Sequence, residues 1–119
     1  MYRNYEKVVL TNGSTASAAE LFTAVLSEYD LALVVGETTY GKGVIQSIYD
    51  LSHFGAYSGA IKLTVGYYSP PSGQNYDGIG ISPDEGCEVA LDPALAGKHL
   101  YTLTQEEDNQ LIAAVSFLK

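Results

Sequence analysis

The sequence has 119 residues and a formal net charge of −8, with 6 Lys+Arg against 14 Asp+Glu. That balance argues against a nucleic-acid partner, because a phosphate backbone would meet repulsion in place of counterion release. The 46% hydrophobic content supports one core of ordinary domain size, and no apolar run approaches the ~18 residues of a membrane span.

Only 17% of the residues are charged, below the ~25% usual for soluble domains, so part of the surface is expected to be covered by something else. The N-terminal stretch MYRNYEKVVL lacks the basic-then-apolar order of a signal peptide. The single cysteine, Cys87, allows no internal disulfide and no metal cluster, and leaves the redox compartment open. No metal or cofactor is expected.

In chain order, KVVLTN (7–12) is a short β-branched run ending at Asn-Gly, which predicts a buried strand entering a turn. A helix over 17–29 follows: Leu21/Val25 and Phe22/Leu26 are four apart, and Ser17 with Glu20 has the spacing of a capping box. LALVVGE (31–37) is too short for a helix and too continuously apolar for a surface strand, so it predicts a strand buried on both faces. Strand, helix and strand make a βαβ unit.

GVIQSIYDL and GAIKLTVGYY alternate with period two on either side of SHFGAYSG, which predicts an antiparallel excursion. The turn-rich SPPSGQNYDGIGISPDEG (69–86) reads as a surface loop. The end, TQEEDNQLIAAVSFLK, predicts a closing helix that opens on a second capping box, Thr104 with Glu107, and aligns Leu111, Val115 and Leu118 on one face.

The chemistry turns on GETTYGKG (36–43). Gly36, Gly41 and Lys42 fall in the register of a P-loop, G-x-x-x-x-G-K-[ST], but Gly43 stands where a hydroxyl should hold Mg²⁺. The following VIQSIYDL reads as strand, whereas a phosphate cradle needs a helix N-terminus there. Nucleotide binding fails on both counts.

The helix start offers the lysine a different companion. Ser17 sits in NGSTASAAE, a run of small residues between strand and helix, where a hydroxyl could project beside outward-pointing amides. A serine nucleophile needs a group to take its proton, and a lysine serves if it is neutral. Lysine ordinarily titrates near ~10.4, so working near ~7 requires roughly 4.6 kcal/mol of environmental preference for the uncharged amine, which burial can supply. The flanking glycines would allow the tight turn that aims Lys42 back at the helix. The residues alone leave two other readings open: Ser17 as an ordinary N-cap, and Lys42 as a solvated loop residue.

VVLTNGSTASAAELFTAVL, ALVVGETTYGKGVIQ and AIKLTVGYYSPPSGQNYDGIGISPD together resemble the catalytic core of the C-terminal processing, or tail-specific, serine peptidases. In that family an S-A-S-A-S-E-type motif carries the nucleophile and G-x-x-[ST]-[FY]-G-K-G carries the general-base lysine, with a glutamine four residues later orienting it. Gly36, Thr39, Tyr40, Gly41, Lys42, Gly43 and Gln46 match the second motif. Thr15, Ala16, Ser17, Ala18, Ala19 and Glu20 match the first more loosely, and Ser14 and Thr15 are rival hydroxyls.

The resemblance covers about residues 7–84. It implies Ser17 as nucleophile, Lys42 as base, Gln46 as its orienter and the Ala18 amide as half of an oxyanion hole. The rate should then rise with pH as the lysine loses its proton. The implied fold is α/β, a partial crotonase or Clp-protease-like core: a βαβ unit, antiparallel strands and a C-terminal helix. The implied function is serine endopeptidase cleavage of proteins near or from their C-termini. The partners are protein or peptide substrates held by their tails, in an extracytoplasmic setting such as periplasm or cell envelope.

Two family features are missing from these residues: the upstream D-L-R-x-N-x-G-G-type segment that supplies the second oxyanion amide, and a substrate-capturing PDZ module. Residues 1–119 are therefore read as the C-terminal part of a peptidase catalytic domain with little or no activity alone, prone to self-association through an exposed sheet edge. The competing class is a non-catalytic binding or scaffold relative of the same fold. His53, His99 and Cys87 lack metal-ligand spacing, and neither histidine sits in a nucleophile-like context. The tyrosines around GYYSPPSGQNY are expected in half-buried strand packing.

Overall fold

The computed structural model of the chain describes residues 5–55 and 58–118. Strand β1 (Val8–Thr11) leads through a short loop into helix α1 (Ala18–Glu28), and β2 (Leu33–Gly36) returns parallel to β1 with Val9 opposite Val34 and Thr11 opposite Gly36. This is the expected βαβ unit. Val34 and Val35 are fully buried, Leu33 is half open, and Val35 packs with Cys87 and Ala114 at the centre of the core. Burial raises the Cys87 thiol above its ordinary range, with the charges of Asp84 and Glu88 adding to it.

Strands β3 (Val44–Asp50) and β4 (Ala60–Tyr67) form the antiparallel hairpin that period two announces, with Gln46 opposite Thr64 and a register irregularity between Ile45 and Gln46. A 3₁₀ turn, Leu51–Phe54, caps its tip on the Asp50 side chain. Ala56 and Tyr57 of the expected connection lie outside the described residues.

The alternation does not translate into a buried face. Ile48 is 71% exposed, and Ile45, Ile61, Leu63, Val65 and Tyr67 are also open. The hairpin projects from the core, which gives a radius of gyration of 17.8 Å and a long axis of 59 Å, against about 13.5 Å for a compact chain of this length. The expected half-buried packing of the tyrosines is accordingly wrong for Tyr49 and Tyr67, which are exposed. Tyr76 departs from it in the other direction: it lies outside the strands, is buried, and stacks with Tyr68 at 6.4 Å.

Two further expectations are corrected. The 69–86 segment is more than a surface loop: Pro70, Tyr76 and Pro83 are buried. It hydrogen-bonds to the 39–43 loop through Gly78 N to Gly41 O at 2.8 Å and Thr39 N to Ile81 O at 3.0 Å. Beyond it, Gly36 exchanges bonds with Cys87 and Val89, adding a parallel bridge at Glu88 to the β1–β2 ladder. Turn residues here supply acceptors and donors to backbone that would otherwise be buried unpaired.

The last helix, α2 (Asn109–Ser116), starts later than the Thr104–Glu107 box predicts. Asp108 is its cap, accepting from the Gln110 and Leu111 amides at 3.0 and 2.9 Å, while Thr104 and Glu107 close a separate turn through Thr104 N to Glu107 Oε2. The buried face is Gln110 and Ala114, with Phe117 packed on the core, and Val115 and Leu118 face outward. Gln110 turns inward because the Val89 carbonyl needs a donor, which its Nε2 provides at 2.8 Å. Lys119, the last residue of the predicted helix, lies outside the described residues. No helix among the described residues is long and apolar enough to cross a membrane.

Candidate active site

Parallel strands present their carboxyl ends to one rim of a sheet, and ligand sites in open α/β folds gather there. Thr11 and Gly36 end β1 and β2 on that rim, and α1 starts from it. Ser17 is the cap residue of α1 and adopts φ 59, ψ −120, a backbone conformation that a non-glycine residue holds only at a cost of ~1–3 kcal/mol. Glu20 N donates to the Ser17 carbonyl at 2.9 Å, closing a tight turn at the helix start. Ala18 opens the helix, where the first amides have no intrahelical acceptor.

The lysine loop is bound to this helix start through Glu20, which is 0% exposed. Its Oε2 accepts from Ser17 N and from Lys42 N, each at 2.8 Å, so the two backbone nitrogens are no further apart than twice that distance. Its Oε1 accepts from Gly41 N and the Thr39 hydroxyl, each at 2.6 Å. Tyr40 N adds a bond to Thr15 O at 2.9 Å.

On the other side of the loop, Asp77 accepts from Gly43 N at 2.9 Å and Asn75 Nδ2 donates to Gly43 O at 2.9 Å. The glycines flanking Lys42 have a reason beyond a tight turn. A Cβ on Gly41, which sits at φ +85, would lie 2.8 Å from Gly80 N, and one on Gly43 would lie 2.5 Å from Asn75 Oδ1.

Burial pushes the Glu20 carboxyl up, but the bonds from Thr39, Lys42, Gly41 and Ser17 outweigh it and hold the group below its ordinary 4.5. The folded chain therefore binds this proton less tightly than the unfolded chain. The resulting stabilisation is complete above the unfolded value and is lost as pH falls through the lower folded one. Urea unfolding at about pH 6 and about pH 3 should show a larger loss for the wild type than for Glu20→Gln. Equal losses would contradict the assignment. The Tyr76 hydroxyl, pushed up to about 12 by burial and by the Glu20 and Tyr68 charges, stays protonated and points at the Ser17 carbonyl across 3.4 Å.

Lys42 and Gln46 line one cavity of about 760 Å³ together with Ser14, Ala16, Tyr40, Lys62 and Asp77. Ser17 is not among the residues lining this cavity, although its neighbour Ala16 is, whereas the rival Ser14 lines it directly. Gln46 of β3, opposite Thr64, shares this cavity with Lys62 of β4, which pairs with Ile48 of β3. His53 lies at the hairpin tip and His99 stacks on Tyr101 at 5.2 Å, and neither lines the Lys42 cavity. The residues after Lys42 enter β3 rather than a helix, so the phosphate-cradle reading fails in three dimensions as well. Glu20 is the member that sequence reasoning reduced to a cap. The signal was Thr39 three residues before Lys42, a hydroxyl in a loop with a buried acceptor to meet.

A serine at a strained helix start and a lysine loop tied to the same carboxylate thus meet at one rim of an α/β unit. The chain belongs to peptidase family S41, whose model matches residues 2–86, and with it to the C-terminal processing serine proteases. It is 42% identical over 86 residues to the chloroplastic C-terminal processing peptidase of Tetradesmus obliquus, covering 72% of this chain and 17% of the relative. The carboxy-terminal-processing protease of Bartonella bacilliformis is 40% identical over 77 residues, 65% of this chain and 17% of its own. That of Synechocystis sp. is 42% identical over 84 residues, 71% of this chain and 19% of its own.

Among solved structures, a photosystem II D1 C-terminal processing protease superposes with a TM-score of 0.60 at 38% identity, covering 81% of this chain and 23% of that one. The mixed α/β fold is thus that of part of this protease. The chain spans less than a fifth of the length of these curated relatives.

Proposed function

We propose that residues 1–119 form the C-terminal part of a crotonase or Clp-like catalytic domain and carry the nucleophile and base of a serine endopeptidase acting near or at the C-termini of proteins. The observation that supports this most directly is the single Glu20 oxygen bonded to both Ser17 N and Lys42 N. It joins two motifs 25 residues apart in a chain of the S41 family.

In this reading the Ser17 hydroxyl attacks the scissile carbonyl while the Lys42 amine takes its proton. The tetrahedral oxyanion is met by the Ala18 amide. Collapse expels the peptide amine, which receives the proton from Lys42 and leaves an acyl-serine. Water, deprotonated by the same lysine, then releases the new carboxyl end. Gln46, on β3 in the Lys42 cavity, orients the amine.

An oxyanion hole ordinarily pairs two donors, and the described residues offer the Ala18 amide at the start of α1. Losing such a donor typically costs ~10²–10³ in rate, so the 119 residues alone have little activity. Substrates are apolar protein tails, cleaved in an extracytoplasmic or lumenal compartment, a setting consistent with relatives named chloroplastic.

The exposed apolar hairpin and its open outer edges support self-association of the isolated chain. Light scattering is expected to return more than the 12.7 kDa of one chain; a monomer at tens of micromolar would count against it. The enzymatic reading itself is tested by the serine substitutions that open the Discussion.

A further inference from the structure

A capping box asks for one carboxylate oxygen on one amide. Glu20 does much more: its two oxygens collect three backbone amides and one hydroxyl from two separate segments, all at 2.6–2.8 Å. It is fully buried, and every one of these partners is a neutral dipole. The ion pair described elsewhere in the chain is Lys98 with Glu107. Burying a carboxylate without a cation is costly unless hydrogen bonds replace its hydration, and the cost exceeds what a helix cap returns.

Accept-only chemistry explains the choice. An ionised carboxylate can take four donors at once, and the bonds are short because the acceptor is charged. A glutamine of the same shape would turn an N–H₂ toward one of the two donor pairs.

We infer that Glu20 is a positioning residue for acyl transfer: its carboxylate sets Ser17 against Lys42 by gripping the backbones of both. The inference rests on the reading of Ser17 and Lys42 as nucleophile and base. Oε2 holds the Ser17 amide in its costly conformation, and Ala18, whose amide meets the oxyanion, is the next residue. The same oxygen holds Lys42 N, while Oε1 secures Gly41 and Thr39 on the approach to the lysine. Thr39 passes the link onward, since its hydroxyl also accepts from Ile81 N at 2.7 Å and so ties in the 75–81 brace. Releasing this grip lets the two reacting groups drift apart, and a misplacement of ~1 Å costs about 10²-fold in rate.

The test measures kcat and KM of the full-length protein on a peptide with an apolar C-terminal tail, with folding checked by near-UV circular dichroism. Glu20→Gln is expected to lower kcat by about 10²-fold with KM changed by less than about threefold. Thr39→Val should lower kcat by about tenfold, and Thr39→Ser should restore it to within about twofold. Glu28→Gln is the control for mere stability: Glu28 clamps the other end of α1 by accepting from Ser72 N and Ser72 Oγ, and its loss should lower the unfolding midpoint while leaving kcat unchanged.

A folded Glu20→Gln with wild-type kcat overturns the inference. If that variant does not fold, Thr39→Val with wild-type kcat overturns it instead. Failure of the underlying reading looks different: Ser17→Ala would remain active. An inactive Ser17→Ala beside a fully active Glu20→Gln removes only the positioning role.

Discussion

Ser17→Ala in the full-length protein is expected to lower kcat for tail cleavage by on the order of 10⁶, leaving only the ~10³–10⁴ over water that binding and oxyanion donors supply. Substrate affinity should hold, because the hydroxyl acts on the reacting carbonyl and not on the tail. Ser14→Ala is the necessary comparison. Ser14 lines the Lys42 cavity directly, but it belongs to an Asn12 side-chain turn, its amide donating to Asn12 Oδ1 at 2.8 Å, and it is exposed. It lacks the helix-start amide that would receive an oxyanion. Loss of turnover in Ser14→Ala with retention in Ser17→Ala would transfer the nucleophile to Ser14; retention in both would leave a binding relative that has the fold without the chemistry.

Gly36→Ala is expected to be the most damaging single methyl in the chain. Gly36 sits at φ +115, outside the conformations L-residues tolerate, and an added Cβ would run into the Thr11 carbonyl oxygen. That oxygen cannot yield, because it accepts from Glu37 N at 2.9 Å, and Gly36 itself is bonded to Cys87 and Val89. Backbone strain of ~1–3 kcal/mol and an overpacking term of ~1–3 kcal/mol together amount to roughly 2–6 kcal/mol, a large part of the ~5–15 kcal/mol of a typical domain. Gly13→Ala, with nothing within 4 Å of the new methyl, should stay within about 0.5 kcal/mol of wild type. Urea midpoints of the two variants decide the matter; similar midpoints would mean that Thr11 and Gly36 do not meet as described.

Much of this was legible locally. The three-to-four spacing of Leu21, Val25, Phe22 and Leu26 identifies α1 to within a residue of each end, and the Val-rich runs identify β1 and β2, because side-chain periodicity and β-branching act within a few residues. The closing helix shows where such reasoning stops. Thr104 and Glu107 have the spacing of a cap, yet Asp108, four residues beyond Thr104, takes the role, since Gln110 is drawn inward by the Val89 carbonyl.

Likewise the alternation of β3 and β4 names the strands without saying what lies against them, and in this chain nothing described covers Ile48 or Val65. The turn-rich segment after β4 reads as solvated punctuation, although Tyr76 and Pro83 are buried by contacts that no local pattern encodes.

The amino-acid order by itself determined the βαβ unit, the hairpin, the absence of a phosphate cradle and, through two short motifs, membership of a peptidase family. Each follows from interactions between near neighbours or from a motif contiguous in the chain. Only the tertiary structure decided that Glu20 is a junction and not merely a cap, that Gly41 and Gly43 make room for the 75–80 segment, and that the hairpin stands away from the core. Those outcomes depend on which donors a buried carboxylate meets across 22 residues of chain, and a hydrogen bond of that kind has no counterpart in sequence spacing.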